Sequence, residues 1–267
     1  MEYPQALRGS LAASSRIGVL FSCALLFCDP GGASQALAQS APCAPQSDAR
    51  DGTRSSARAF HKILILGNSI TRHGPSQAIG WSGDWGMAAS AQEKDFVHLV
   101  TRSLCAVEGA APEVMVKNIA EFERQYASYD VAGKLKDAIG FGADLVILAI
   151  GENVPKFESE EAKAKFREKL VALLGALRAN RGTMIVVRSC FWPNAAKDQI
   201  LGQACREVGG VFVDISGLGK DESNFARSER QFQHAGVAAH PGDKGMRAIA
   251  DAIIHAITAD RAGAGKR

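Results

Sequence analysis

The sequence predicts an α/β fold in which a parallel sheet is wrapped by helices on both faces. Three observations carry that expectation. Short, continuous apolar runs rich in β-branched residues recur along the chain, as strands buried on both faces require. Amphipathic stretches lie between them. The alternation persists through about 200 residues, and such alternation joins parallel strands by helical crossovers. Composition agrees: 267 residues, 46% hydrophobic and 22% charged, supply enough apolar material for a core. The 27 glycines follow no fixed period, which excludes collagen-like and solenoid architectures. A net charge of +3 gives no reason to expect nucleic acid or an anionic membrane surface as partner.

The elements follow in chain order. Arg8 and Arg16 precede an apolar run from Ile17 to Cys28. It has about a dozen residues, fewer than the roughly 20 that span a bilayer. Asp29-Pro30-Gly31-Gly32 ends the run and Ala36-Leu37-Ala38 follows. That order is expected of a secretory signal peptide over residues 1–38, cleaved after Ala38, with a short membrane anchor as the alternative. The expectation is therefore an exported protein, periplasmic or secreted, with no stable membrane insertion after cleavage. Residues 39–60, rich in Ser, Ala, Pro, Asp and Arg, read as a flexible linker. Strands are expected at Lys62–Leu66, Val114–Lys117, Leu145–Ile150, Thr183–Val187 and Val211–Ile215. Helices are expected at about Met87–Val107, Val131–Ala138, Glu158–Arg178, Ala195–Val208 and Lys244–Ala259. One domain then covers 61–258, and 259–267 is expected to be a disordered tail. Cys43, Cys105, Cys190 and Cys205 remain after cleavage, too few for a disulfide scaffold. Cys190–Cys205 is the first candidate for a bridge, with two buried free thiols as the alternative. No Cys/His spacing suggests zinc, and neither metal nor cofactor is expected.

Parallel sheets place their chemistry at the carboxyl ends of the strands. After the first strand stands Gly67-Asn68-Ser69-Ile70-Thr71. The glycine permits a tight turn that would present Ser69 as a nucleophile, and a helix cap or turn serine is the plain alternative. Phosphate-loop and dinucleotide glycine patterns are absent here. After the third strand comes Gly151-Glu152-Asn153, whose amide could donate to a developing oxyanion. Before the last helix lies His240-Pro241-Gly242-Asp243-Lys244-Gly245-Met246, where His240 could act as general base for Ser69.

Taken together, these blocks resemble the SGNH (GDSL-type) hydrolases. Gly67-Asn68-Ser69 stands for the family's Gly-Asp-Ser, Gly151-Glu152-Asn153 for its Gly-x-Asn, and His240-Pro241 through Gly245-Met246 for its last block. The resemblance runs from about residue 61 to residue 258. It implies a three-layer, flavodoxin-like fold with a five-stranded parallel sheet, and a serine esterase with Ser69 and His240 as catalytic residues. The Ser69 N–H, the Asn153 side chain and a backbone N–H of the second block would form the oxyanion hole. That block, usually Asn-x-Gly, here reads Asn118-Ile119-Ala120, so the role passes to Ala120. A second departure is Val237, where the family has an Asp that orients the histidine. A backbone carbonyl could take that place, or an acid among Glu121, Glu123, Glu152 and Asp243. His234 is an alternative base.

Two tryptophans in Gly80-Trp81-Ser82-Gly83-Asp84-Trp85-Gly86-Met87 could wall or stack a substrate, or merely roof the core. Arg124 could clamp an anionic group or pair with adjacent acids. The leading expectation is an exported esterase of small acyl esters, with acetylated carbohydrate foremost and lipid esters or thioesters second. A catalytically weak carbohydrate-binding or cell-envelope assembly protein on the same fold is the competing class. The sequence does not speak to oligomeric state.

Overall fold

The computed structural model describes residues 59–108, 111–178 and 182–264. The expected signal peptide and nearly all of the linker lie outside the described residues. Five strands, β1 (Lys62–Gly67), β2 (Glu113–Asn118), β3 (Leu145–Ala149), β4 (Met184–Arg188) and β5 (Val211–Val213), form one sheet in the order β2-β1-β3-β4-β5. Every neighbouring pair is parallel. The chain leaves β1 to one side for β2, then returns to the other side for β3. The β1/β3 boundary is therefore the topological switch point, where ligands bind in this strand order. The register sets Gly67 opposite both Asn118 and Ala149, so three strands end level there.

Period-two alternation divides the sheet's side chains between two cores. Leu64, Leu66, Val146, Leu148, Ile185 and Val187 face one layer. It holds α2 (Ala120–Gln125), α3 (Val131–Lys134), α4 (Lys136–Gly140), α5 (Glu160–Leu177) and α6 (Ala195–Glu207). Ile63, Ile65, Leu145, Ile147 and Val186 face the other, where α1 (Phe96–Glu108) packs beside α8 (Asp243–Ala264). The three-layer α/β/α fold is the one the strand–helix alternation predicts. A fourth-strand onset near Thr183 also holds, its hydroxyl donating to the Ala143 carbonyl.

Several boundaries differ. The helix expected from Met87 begins at Phe96, because Asp95 caps it: one carboxylate oxygen accepts the His98 N–H at 2.8 Å and the other accepts the Gly86 N–H at 3.0 Å. The helix expected over Val131–Ala138 breaks at Leu135 into two short pieces. The last helix does not stop at Ala259. It runs to Ala264, with Ile257 in the core and Arg261 over the Phe60 ring at 4.3 Å, so residues 259–264 are helix rather than tail. Phe60 is itself buried. The Cys190–Cys205 bridge does not exist. Cys190 packs on Gly151 at the end of β3 and Cys205 on Gly210 before β5, so the two free thiols face different neighbours. Cys105 is disulfide-bonded. Among the described residues no helix is long and apolar enough to cross a membrane.

Candidate active site

Gly67 ends β1 because nothing larger fits. A Cβ there would lie 1.8 Å from Thr71 Oγ1 and 2.8 Å from the Ala149 carbonyl oxygen. The chain then turns, with the N–H groups of Thr71 and Arg72 both donating to the Asn68 carbonyl at 3.0 Å. Asn68 Oδ1 accepts from the Ile70 N–H at 3.1 Å and stiffens the turn. Ser69 is carried at its apex, anchored through its carbonyl to the Met87 N–H at 2.8 Å. Among the described residues its own N–H has no partner.

His240 reaches Ser69 from the other end of the chain. The short helix α7 (Ala235–Ala238) and the turn after it hold the imidazole in place. Ser69 Oγ lies 2.8 Å from His240 Nε2, and His240 Nδ1 lies 2.7 Å from the Gly236 carbonyl oxygen. A carbonyl only accepts, so Nδ1 carries the proton and Nε2 is left as the acceptor for the serine hydroxyl. The main chain thus supplies what the missing Asp would have supplied. Val237 is buried in an apolar cluster with Trp81, Met87, Ala88 and Ala226. None of the four acids considered takes the orienting place. Glu121 pairs with Lys134, and Asp243 accepts from Ser90 and Lys94. Glu123 and Glu152 belong to a cluster described below. His234 caps α7, its Nδ1 accepting the Gly236 N–H at 3.0 Å, and is engaged away from Ser69. Burial pushes the His240 pKa down to about 4 against the raising effect of the Gly236 carbonyl, so the ring is neutral at pH 7.

Gly151 opens the turn after β3 at φ +128°, a conformation that favours glycine, and a Cβ there would meet Cys190 Sγ. The turn is fixed by Glu123, which is fully buried on α2. Its Oε1 accepts the Gly151 N–H at 2.6 Å, the Asn153 N–H at 3.1 Å and Asn68 Nδ2 at 3.2 Å. Its Oε2 accepts Asn153 Nδ2 at 2.7 Å. Asn68 Nδ2 donates again, to Glu152 Oε2 at 2.6 Å. Glu152 Oε1 is held by Arg188 at 2.6 Å and by the Phe191 N–H at 2.9 Å. Burial opposes ionisation of Glu152, but the Arg188 guanidinium overrides it and holds the carboxyl below its usual range. Burial and the Glu152 charge push Glu123 above its usual range. The two asparagines on either side of the switch point are therefore joined through one carboxylate.

The other expected residues are placed as follows. The Ala120 N–H donates to Asn118 Oδ1 at 2.9 Å, and Asn118 Nδ2 donates to the Arg72 carbonyl at 2.8 Å. The Ala120 donor is thus engaged within its own turn rather than left open for an oxyanion. Trp81 is buried, its indole N–H on the His73 carbonyl, edge-on to Trp85 at 5.6 Å. Trp85 is half-buried, with its N–H on the Ala89 carbonyl. This pair roofs a small apolar cluster with Ala226 and Val237, the plainer of the two expectations. Arg124 is exposed on α2. Trp192 went unnoticed in the sequence. It meets the His240 ring edge-on at 5.3 Å and donates to the Ala239 carbonyl at 3.1 Å. Its signal was its place just past the carboxyl end of β4. Arg188, a charge closing an otherwise apolar strand, carried a similar signal. Among the described residues no group of three His, Cys, Asp or Glu side chains could hold a metal ion.

No family model matches the chain, and no curated protein matches it. Among solved structures it is similar to two crystal structures described as GDSL-like lipases. The one from Bacteroides ovatus shares 13% identity at a TM-score of 0.47, over 73% of this chain and 97% of that one. The one from Bacteroides uniformis shares 13% at 0.48, over 74% and 95%. A family two carbohydrate esterase from Cellvibrio japonicus shares 15% at 0.45, over 75% of this chain and 61% of that one.

Proposed function

We propose that the chain is an exported serine esterase acting on small acyl esters. One observation carries the reading: a serine on the turn after β1 lies 2.8 Å from an imidazole nitrogen that the Gly236 carbonyl keeps unprotonated. A neutral imidazole held in this tautomer is a general base poised on an alcohol. In the reaction, Ser69 Oγ bonds to the ester carbonyl carbon while its proton passes to His240 Nε2. The carbonyl oxygen becomes an oxyanion, met by the Ser69 N–H, which has no partner among the described residues, and by the Asn153 amide hydrogen that Glu123 leaves unused. Collapse breaks the carbon–oxygen bond, and the leaving alcohol takes the proton from His240. Water, deprotonated by the same nitrogen, then releases the acid and restores Ser69.

O-acetylated carbohydrate is the substrate proposed first, with Trp192 the aromatic surface beside the base. Export rests on the apolar run and Ala36-Leu37-Ala38, and a disulfide at Cys105 fits an oxidising compartment. The deciding experiment pairs p-nitrophenyl acetate turnover with fluorophosphonate labelling. Turnover with label on Ser69 is the expected result, and an unlabelled Ser69 without turnover removes the esterase reading. Acetate release from acetylated oligosaccharides then tests the substrate.

A further inference from the structure

Glu123 bonds to both turns of the switch point, and none of these hydrogen bonds goes to Ser69 or His240. It accepts the Asn68 side chain next to Ser69, and it accepts Gly151 and Asn153 through three further N–H groups. Such an arrangement exceeds what tying two loops together needs. A primary amide has an oxygen end and a nitrogen end of nearly equal size, and its terminal torsion is broad and roughly two-fold. Packing alone therefore does not decide which end of Asn153 faces which way. The choice matters for an oxyanion: one orientation offers a hydrogen, the other a lone pair that repels it.

We propose that Glu123 is a positioning residue for ester hydrolysis, an acceptor-only group that forces the nitrogen end of Asn153 toward itself and thereby leaves the second amide hydrogen for the oxyanion. The proposal rests on the esterase reading of Ser69 and Asn153. Four N–H donors converge on the two Glu123 oxygens and favour the ionised carboxylate against burial; it has no hydrogen to donate, so the oxygen end of Asn153 finds no partner in it. The neutral isostere differs in this respect. A glutamine at 123 can keep its oxygen on Gly151, Asn153 N–H and Asn68, but its NH₂ then confronts Asn153 Nδ2. Rotation of the Asn153 amide relieves the clash and turns the donor away from the reacting carbonyl. Asn68 completes the device. Its two amide hydrogens lie between Glu123 and Glu152, and Arg188 engages Glu152 rather than Glu123.

The test is Glu123→Gln in the otherwise intact mature chain, with p-nitrophenyl acetate as substrate. Wild-type turnover and labelling of Ser69 are measured first, and their absence overturns the esterase reading itself. With both present, kcat per fluorophosphonate-titrated site is expected to fall at least about tenfold in Glu123→Gln, by no more than in Asn153→Ala, with KM nearly unchanged. Adding Glu123→Gln to Asn153→Ala is expected to change kcat by less than about threefold, since the group it acts through is gone. A kcat per site within about threefold of wild type, or losses that multiply in the double variant, overturns the proposal even if the melting temperature drops. Should Glu123→Gln not fold, Glu123→Asp, whose shorter side chain withdraws the acceptor, is judged by the same two criteria.

Discussion

At the residue scale Ser69 and His240 form a pair whose third partner is the Gly236 main-chain carbonyl. Ser69→Ala is expected to lower kcat/KM by several orders of magnitude while preserving the fold, and more than about a tenth of wild-type activity would dismiss Ser69 as nucleophile. Asn153→Ala should lower kcat by about 10²–10³ with KM nearly unchanged, and Asn153→Asp should be worse, because a carboxylate there faces both the oxyanion and Glu123. Titrated-site kcat alongside melting temperature separates this from simple destabilisation. The pH dependence follows from the buried imidazole. Protonation removes the base, and His240 resists protonation until pH falls to about 4. The acid limb of kcat/KM should therefore lie near pH 4 rather than near 6.5, and a midpoint at the ordinary histidine value would show the ring to be solvated. Ser69, Asn153 and His240 were legible in the sequence because each sits in a glycine-marked turn beside a strand end or a helix start. Glu123 stood there only as one of four acids. Its four donors come from Asn68, Gly151 and Asn153, which are remote in sequence.

At the scale of elements, short α7 is where local reading and tertiary structure part company. Its sequence, Ala235-Gly236-Val237-Ala238, offers no polar side chain, so nothing in the letters marks it as the support of a base. The acceptor is a carbonyl, which every residue has. Val237 looked like a gap in a constellation but is a core residue. Val237→Asp should accordingly not improve catalysis. It should destabilise the protein by about 2 kcal/mol or more, by burying a carboxylate among Trp81, Met87 and Ala226. Denaturant unfolding gives the cost, and a faster, equally stable variant would refute this view of α7. The turn after β1 makes the matching case for Asn68. Asn68→Asp removes two donors from buried acceptors and places a third carboxylate between Glu123 and Glu152. A loss of about 3 kcal/mol is expected at neutral pH. The deficit should shrink as acid neutralises the carboxylates, and one independent of pH would argue against charge repulsion as its cause.

At the scale of the whole molecule the parallel sheet was the most legible feature, because strands buried on both faces must be apolar throughout. Helix ends were less so. Whether a helix starts at Met87 or at Phe96 depends on where the Asp95 carboxylate finds its N–H groups, and one of them belongs to Gly86 outside the helix. On the proposed export the mature chain is expected to begin near Gln39, and N-terminal sequencing of the protein recovered outside the cytoplasm checks this. An intact Met1, or a lipid on Cys28, would overturn it. The paired Ser69 and His240 also stand 171 residues apart in the chain. A nascent polypeptide carries its serine early but obtains its imidazole only when α7 and the turn after it have been made and docked. A chain cut short before α7 holds a serine without its imidazole. Under the proposed esterase function, turnover is thus a report of completed folding, and two fragments divided between α5 and β4 are expected to be silent apart and active only on reassociation.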